Sequence, residues 1–424
     1  MKQGVSNFIK TFGPGIMFAG TCIGGSHLVQ STRAGAYYGF GLLLIVLLAN
    51  IFKYPFFEFA SRYTNATGKS ILDGYYKLNK YVLVVYGIVT FFSMFIITAA
   101  IGSFTAGLAD NIFTSLFGKD ILSTRTWAII MFLIVLGILF KGEFKILDKL
   151  LKGIGIILVI TIFTAIISLV ISEPMPKQGL TSLQILKTDN GLIFAIALMG
   201  WMPTGVDMSS WHSLWTEQKI KDTGYHPSLK ETLLDFNIGY GITILLAILF
   251  LSIGAYILYE APYYTPEKIS KMGALQYANT LVNMFTKAVG YWSFFIIAIA
   301  AFATMFGTCI TLIDGYSRSM ERTSTLLTQK SSSKSNYLIW VVTIMIGALV
   351  IIFFFVSSLS KIIDLATITS FIIAPFAALI NYLIVLSKDV SEDKKPKLWL
   401  KTLAITGIIF LSFFTVLYLY SLSS

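Results

Sequence analysis

Two short polar interruptions in otherwise apolar, membrane-length segments carry the residue types best able to bind an ion or a small polar ligand. The first is Gly24-Gly25-Ser26-His27, midway along the run from Gly13 to Gly39. The second is Gly200-Trp201-Met202-Pro203-Thr204-Gly205, inside Gly191 to Trp215, with Asp207 about one turn further on. Backbone N–H and C=O groups freed at such depth find no partner in lipid, so they must be buried in protein or line a polar cavity. His27 offers an imidazole nitrogen, Met202 a soft thioether and Asp207 a carboxylate, and the carbonyls of Cys22, Met199 and Gly200 add oxygen donors. That mixture suits a transition metal better than Ca²⁺ or Mg²⁺, which prefer all-oxygen shells. A Gly-Gly-Ser break also presents N–H groups to a carboxylate, and Asp207 could receive an ammonium group, which describes a small organic solute such as an amino acid. Interrupted helices at corresponding places in two halves of a chain imply the mid-membrane site of a secondary transporter.

Each feature has a plainer structural reading. Glycines let helices approach closely in membranes. Asp207, costly in lipid and therefore expected to face a cavity or a cation, could cap the second half-helix or form a salt bridge, with Arg33 an available partner. His27 could be a proton acceptor or a satisfied interior histidine, and His212 sits five residues beyond Asp207, on a different helix face. Thr304, Thr308 and Thr311 recur at helical spacing, either lining a pathway with Cys22 and Arg33 or bonding to neighbouring helices. Glu58 near Lys53 and Arg62, and Asp364 near Lys361, look like paired charges at membrane edges; Asn381 and Pro375 could mark a gate or a kink.

The elements that must position these residues are membrane helices. Hydrophobic residues make up 56% of the 424 and charged ones only 12%, which excludes a soluble fold. Eleven spans are expected near 13 to 39, 41 to 61, 81 to 108, 125 to 141, 149 to 172, 191 to 215, 233 to 258, 284 to 316, 337 to 357, 361 to 387 and 398 to 421. With the N-terminus inside, most of the 32 basic residues fall in alternate, cytoplasmic loops, as the positive-inside bias requires, and the C-terminus lies outside. The net charge of +11 therefore reports membrane orientation rather than nucleic-acid binding. Five spans precede the second interrupted helix and that helix opens five more, so residues 13–172 and 191–387 form inverted repeats, with 398–421 an added helix, all in one membrane domain over 1–424. Cys22 and Cys309 form no disulfide framework, and the opening MKQGVSNFIKTFGPG has no cleavable signal pattern. Neither a hydrolase constellation nor a phosphate loop occurs, so the expected role is not enzymatic and an ion gradient rather than ATP would drive transport. The expected partners are the lipid bilayer and a small ion or solute, with no obligate protein partner.

The run from Gly13-Pro14-Gly15 through Ala34-Gly35-Ala36-Tyr37-Tyr38-Gly39-Phe40 to Leu47-Leu48-Ala49-Asn50, together with Met202-Pro203, resembles the Nramp divalent-metal transporters. The resemblance implies an all-α polytopic protein of the leucine-transporter fold, within the amino acid, polyamine and organocation superfamily, with helices one and six broken. It further implies import of a Mn/Fe-class metal, with protons as coupling ion and no bound cofactor, in a bacterial-type inner membrane. Members of that family carry Asp-Pro-Gly-Asn in the first break; Gly24-Gly25-Ser26-His27 stands there, so the metal-binding carboxylate is missing. Met202 keeps the methionine of the sixth span, and Thr204 replaces a histidine. Burying an uncompensated dication is very costly, so His27, Met202 and Asp207 are the side chains expected to rebuild the site.

Overall fold

The computed structural model describes residues 10–141, 153, 160, 162–171, 179–259, 266–355 and 358–421. Among them, eight helices are long and apolar enough to cross a membrane. These are α3 (Leu43–Thr67), α4 (Lys80–Phe117), α5 (Thr124–Lys141), α8 (Leu229–Ile257), α9 (Phe294–Thr328), α10 (Lys334–Phe354), α11 (Leu359–Val385) and α12 (Leu398–Ser421). Two further spans are built from pieces. The first joins α1 (Pro14–Cys22) to α2 (Thr32–Tyr38), and the sixth joins α6 (Asp189–Gly200) to α7 (Ser209–Thr223). The expected fifth span, 149–172, lies mostly outside the described residues, as do Lys2, Lys145, Lys149, Lys152 and Lys177 of the loop charges.

Local signals set the helix ends. Ser228 and Glu231 form a reciprocal capping box at the start of α8, Thr188 caps α6, Ser333 caps α10 and Ser358 caps α11. Gly68 and Gly118 end α3 and α4 in the left-handed region, where a Cβ is disfavoured. Several expected boundaries move, with α3 running on to Thr67 and α9 to Thr328. Helix α4 runs on to Phe117, because nothing before Gly118 stops it. The residues from 284 belong not to the eighth span but to a separate helix, Ala274–Val289, which ends at Gly290 with φ +121°.

The first span rests on α8 through small residues. Cβ atoms at Gly35 and Gly15 would strike Leu251 O and Asp235 O, and those at Gly239 and Gly254 would strike Gly15 O and Thr32 O, so only glycine permits this approach. The Asp235 carboxylate then receives the N–H groups of Gly13 (3.0 Å) and Gly15 (2.7 Å), satisfying donors that the start of α1 leaves free. Large apolar side chains such as Phe92, Leu133, Ile409 and Val416 point outward, giving α4, α5 and α12 faces suited to lipid.

Candidate functional site

The two interruptions differ in kind. Residues Ile23–Ser31 continue the first helix as a nine-residue π-helix, so this span widens rather than breaks. That corrects the expectation of an unwound segment at Gly24-Gly25-Ser26-His27. Its glycines serve close packing: a Cβ on Gly24 would lie 2.5 Å from Thr308 Oγ1, and one on Gly25 would lie 2.5 Å from the Trp201 ring and 2.6 Å from Ile101. In the sixth span the helix does break. It stops at Gly200, whose Cβ would collide with Thr367 O of α11, and resumes as a 3₁₀ turn at Val206–Met208 before α7. The Met202-Pro203 peptide is cis.

The wide turn engages its own polar groups. His27 is fully buried; its Nε2 lies 2.7 Å from Thr243 O on α8, and its Nδ1 lies 2.9 Å from Cys22 O and 2.6 Å from Ser26 Oγ. Ser26 Oγ also donates to Cys22 O. Both ring nitrogens and the Cys22 carbonyl, expected as metal donors, are thus held by protein groups. Met202 is fully buried, with its sulfur 3.7 Å from Ser31 Oγ. The three residues expected to ligate together, His27, Met202 and Asp207, face different partners. Among the described residues, no group of three or more His, Cys, Asp or Glu converges as a metal site.

What occupies the break in the sixth span is Lys53. This α3 lysine is fully buried, and its Nζ donates to Met199 O (2.5 Å), Gly200 O (2.9 Å) and Thr204 O (3.0 Å). All three ammonium donors are satisfied by carbonyls at the end of α6 and within the break, of which Met199 O also accepts the Met202 N–H, at the negative end of the helix dipole. Asp207 stands nearby and interacts with Lys53 electrostatically; its carboxylate also lies against the N–H groups at the start of the second half-helix, while Oδ1 is buried without a hydrogen-bond partner. Lys53 therefore does not pair with Glu58 at a membrane edge: among the described residues Glu58 pairs with Arg62.

Arg33 does not meet Asp207 either. Its guanidinium binds Asp364 of α11 through two bonds, 2.7 and 3.0 Å, and donates to Gln30 Oε1 at 2.9 Å, sandwiched near the rings of Tyr37 and Phe194. Asp364 thus pairs with Arg33 rather than Lys361. Thr304 and Thr311 bond back to their own helix, whereas Thr308 donates across to Gly20 O at 2.8 Å. Asn381 ties α11 to α3 and α7 through Phe56 O and Ser209 Oγ. His212, buried, has Nδ1 2.9 Å from Ser61 Oγ. Between the two interruptions a small cavity remains, lined by Cys22, Gly25, Ser26, Trp201, Thr204 and Thr308 among others; its roughly 10 Å³ admits about one water. Met208 lines its wall, and Met202 does not.

The sequence profile described as natural resistance-associated macrophage protein-like matches residues 15–421. An uncharacterized protein of Pasteurella multocida (strain Pm70) is 34% identical over 414 residues, covering 96% of this chain and 91% of that protein. Among solved structures, a mutant of the Eremococcus coleocola manganese transporter superposes with a TM-score of 0.71 at 12% identity, over 97% of this chain and 86% of that one. MhsT in complex with L-phenylalanine gives 0.59 at 12% identity, over 96% and 97% of the two chains. Mhp1, a nucleobase-cation-symport-1 family transporter, gives 0.59 at 11%, over 97% and 92%. At such identities these likenesses speak for the fold, which is the leucine-transporter fold.

Proposed function

The chain belongs to the natural resistance-associated macrophage protein-like family, whose members are membrane metal-ion transporters and not enzymes, and from that premise we propose that it is a secondary-active importer of a Mn/Fe-class divalent metal. Transport proceeds by alternating access, with the first and sixth spans moving against the rest of the bundle and protons as coupling ion. The distribution of basic loops supports a cytoplasmic N-terminus and an outer C-terminus in a cell membrane, and in this reading residues 13–172 and 191–387 act as inverted repeats of one domain.

The observation that carries this reading is the break in the sixth span, where three carbonyl oxygens at a helix C-terminus surround the Lys53 ammonium and Asp207, its Oδ1 buried and without a hydrogen-bond partner, adds a negative charge in the neighbourhood. The carbonyls keep the ammonium away from water, which leaves the Asp207 carboxylate as the negative charge open to a transported cation. Asp207 is the charge-compensating ligand and Met202 the soft one. His27 joins them only if it releases Thr243 O and Cys22 O, so we place it in the supporting frame. Purified protein in liposomes should take up Mn²⁺ in a manner accelerated by an inward proton gradient, and Asp207→Asn should abolish uptake. Absence of Mn²⁺, Fe²⁺ and Cd²⁺ uptake under every gradient refutes the metal reading. An ammonium already seated on the carbonyls favours a second substrate class, an organic ammonium solute, and a panel of amino acids in the same vesicles tests it.

A further inference from the structure

We propose that the carbonyls of Met199, Gly200 and Thr204 form a monovalent-cation site whose ligand is tethered to the chain: the Lys53 ammonium fills it, and with that side chain shortened the same oxygens take a free ammonium-type cation. The proposal uses the site named above and is independent of which ion is carried.

Three features support it. The Nζ to oxygen distances, 2.5, 2.9 and 3.0 Å, are hydrogen-bond lengths. They are wider than the roughly 2.0–2.1 Å of a Mg²⁺ shell and mostly wider than the roughly 2.3–2.6 Å of a Ca²⁺ shell, so the oxygens are spaced for an ammonium or a large monovalent ion. The acceptors are backbone carbonyls at and beyond the end of α6, where Pro203 has no N–H to carry the helical ladder on, and Gly200 packs against Thr367 O so closely that no side chain fits there. They persist whatever residue occupies position 53. The second charge in the neighbourhood, Asp207, keeps Oδ1 buried and unpaired. The pocket is therefore electronegative without Lys53, and a desolvated ammonium would be costly anywhere else in the span.

Truncating Lys53 to alanine removes three carbons and the nitrogen, the volume of propylammonium. The test is the thermal midpoint of the purified full chain in detergent, measured in choline, tetramethylammonium, Na⁺, K⁺, NH₄⁺ and propylammonium chlorides at equal ionic strength. The parent should melt alike in all of them. Lys53→Ala should melt lower in choline and be restored saturably by propylammonium, NH₄⁺ or K⁺ and not by tetramethylammonium. Lys53→Met, which refills the volume without charge, should melt lower and stay indifferent. The proposal is overturned if Lys53→Ala responds to no cation, if it melts like the parent in choline, or if the parent itself shows the same cation selectivity. Failure of Lys53→Ala to fold in any of these salts overturns it too, since a free cation then cannot replace the tethered one. Metal uptake by the unmodified protein is scored separately, so a negative there leaves this result standing.

Discussion

Replacing Asp364 by alanine removes the partner that ties α2 to α11. Arg33 is 3% exposed in its side chain and Asp364 is 32% exposed, so the pair stands between two regimes. A solvent-exposed ion pair contributes about 0–1 kcal/mol, whereas breaking a buried one costs about 3–5 kcal/mol. The one-third exposure of the carboxylate discounts the latter, and Gln30 Oε1 keeps one guanidinium bond, which leaves about 2 kcal/mol. On the proposed orientation this pair lies on the outer side of the cavity and clamps the first span to the tenth. Its loss should shift the balance between closed and outward-open forms by roughly 30-fold, the factor that corresponds to about 2 kcal/mol. Cys22 reports the opening, because it is 1% exposed and lines the cavity. With Cys309→Ser in the background, a membrane-impermeant thiol reagent applied from outside should modify Cys22 about 30 times faster in Asp364→Ala than in the parent. An unchanged rate in a variant that melts within a few degrees of the parent would refute the clamp.

The remaining perturbations separate packing from binding. His27→Ala leaves Thr243 O without its donor and should lower stability by about 1–3 kcal/mol; a variant that melts like the parent yet loses metal affinity would instead make His27 a ligand. Asp235→Ala strips the Gly13 and Gly15 N–H groups of their acceptor, costing about 1–2 kcal/mol at the start of α1; hydrogen exchange should quicken over residues 13–17, and unchanged exchange there would contradict the cap. Gly25→Leu drives a side chain into Trp201 and Ile101, a clash worth about 1–3 kcal/mol or more. Transport should stop, and full uptake by that variant would mean the two spans are not packed this way while the protein works.

Why some of this was readable in the sequence and some was not follows from the range of each interaction. Helix positions come from hydropathy summed over a span, a local property, and Pro203 between Gly200 and Gly205 marks a run of poor helix formers, whereas Pro55 and Pro375 stand singly inside α3 and α11. Glycine is ambiguous by comparison. Gly24-Gly25 fits an unwound segment and a close contact equally well, and only the neighbours, Thr308, Trp201 and Ile101, decide for contact. Partners distant in the chain have no local signature: Arg33 and Asp364 are 331 positions apart, and Lys53 binds carbonyls, which every residue carries. One signal was available. Lys53 lies ten residues beyond the start of α3, within LLIVLLANIFKYPFF, too deep for its ammonium to reach the near interface and so in need of buried acceptors. Averaging over the span hid it, and the adjacent Glu58 supplied a false partner.

The position of Lys53 constrains how a dication could be handled at all. If a metal docks on Asp207 while the ammonium keeps its three carbonyls, a charge of two faces a charge of one across a few ångströms. At about 5 Å and an effective dielectric near 20, the repulsion is roughly 7 kcal/mol, about the whole binding free energy of a ligand held at roughly 10 μM. Loading must therefore either discharge Lys53 or move it off the oxygens. The first route makes metal entry release a proton, which supplies a physical basis for proton coupling in a site that lacks the family's aspartate in its first span. The two routes differ in stoichiometry. In weakly buffered detergent solution, Mn²⁺ binding to the parent should release about one proton more than binding to Lys53→Met, since Lys53 carries a single ionisable group. Equal release in both proteins would rule out discharge, and binding at equal affinity as well would mean that the metal never meets the ammonium, placing its site elsewhere in the fold.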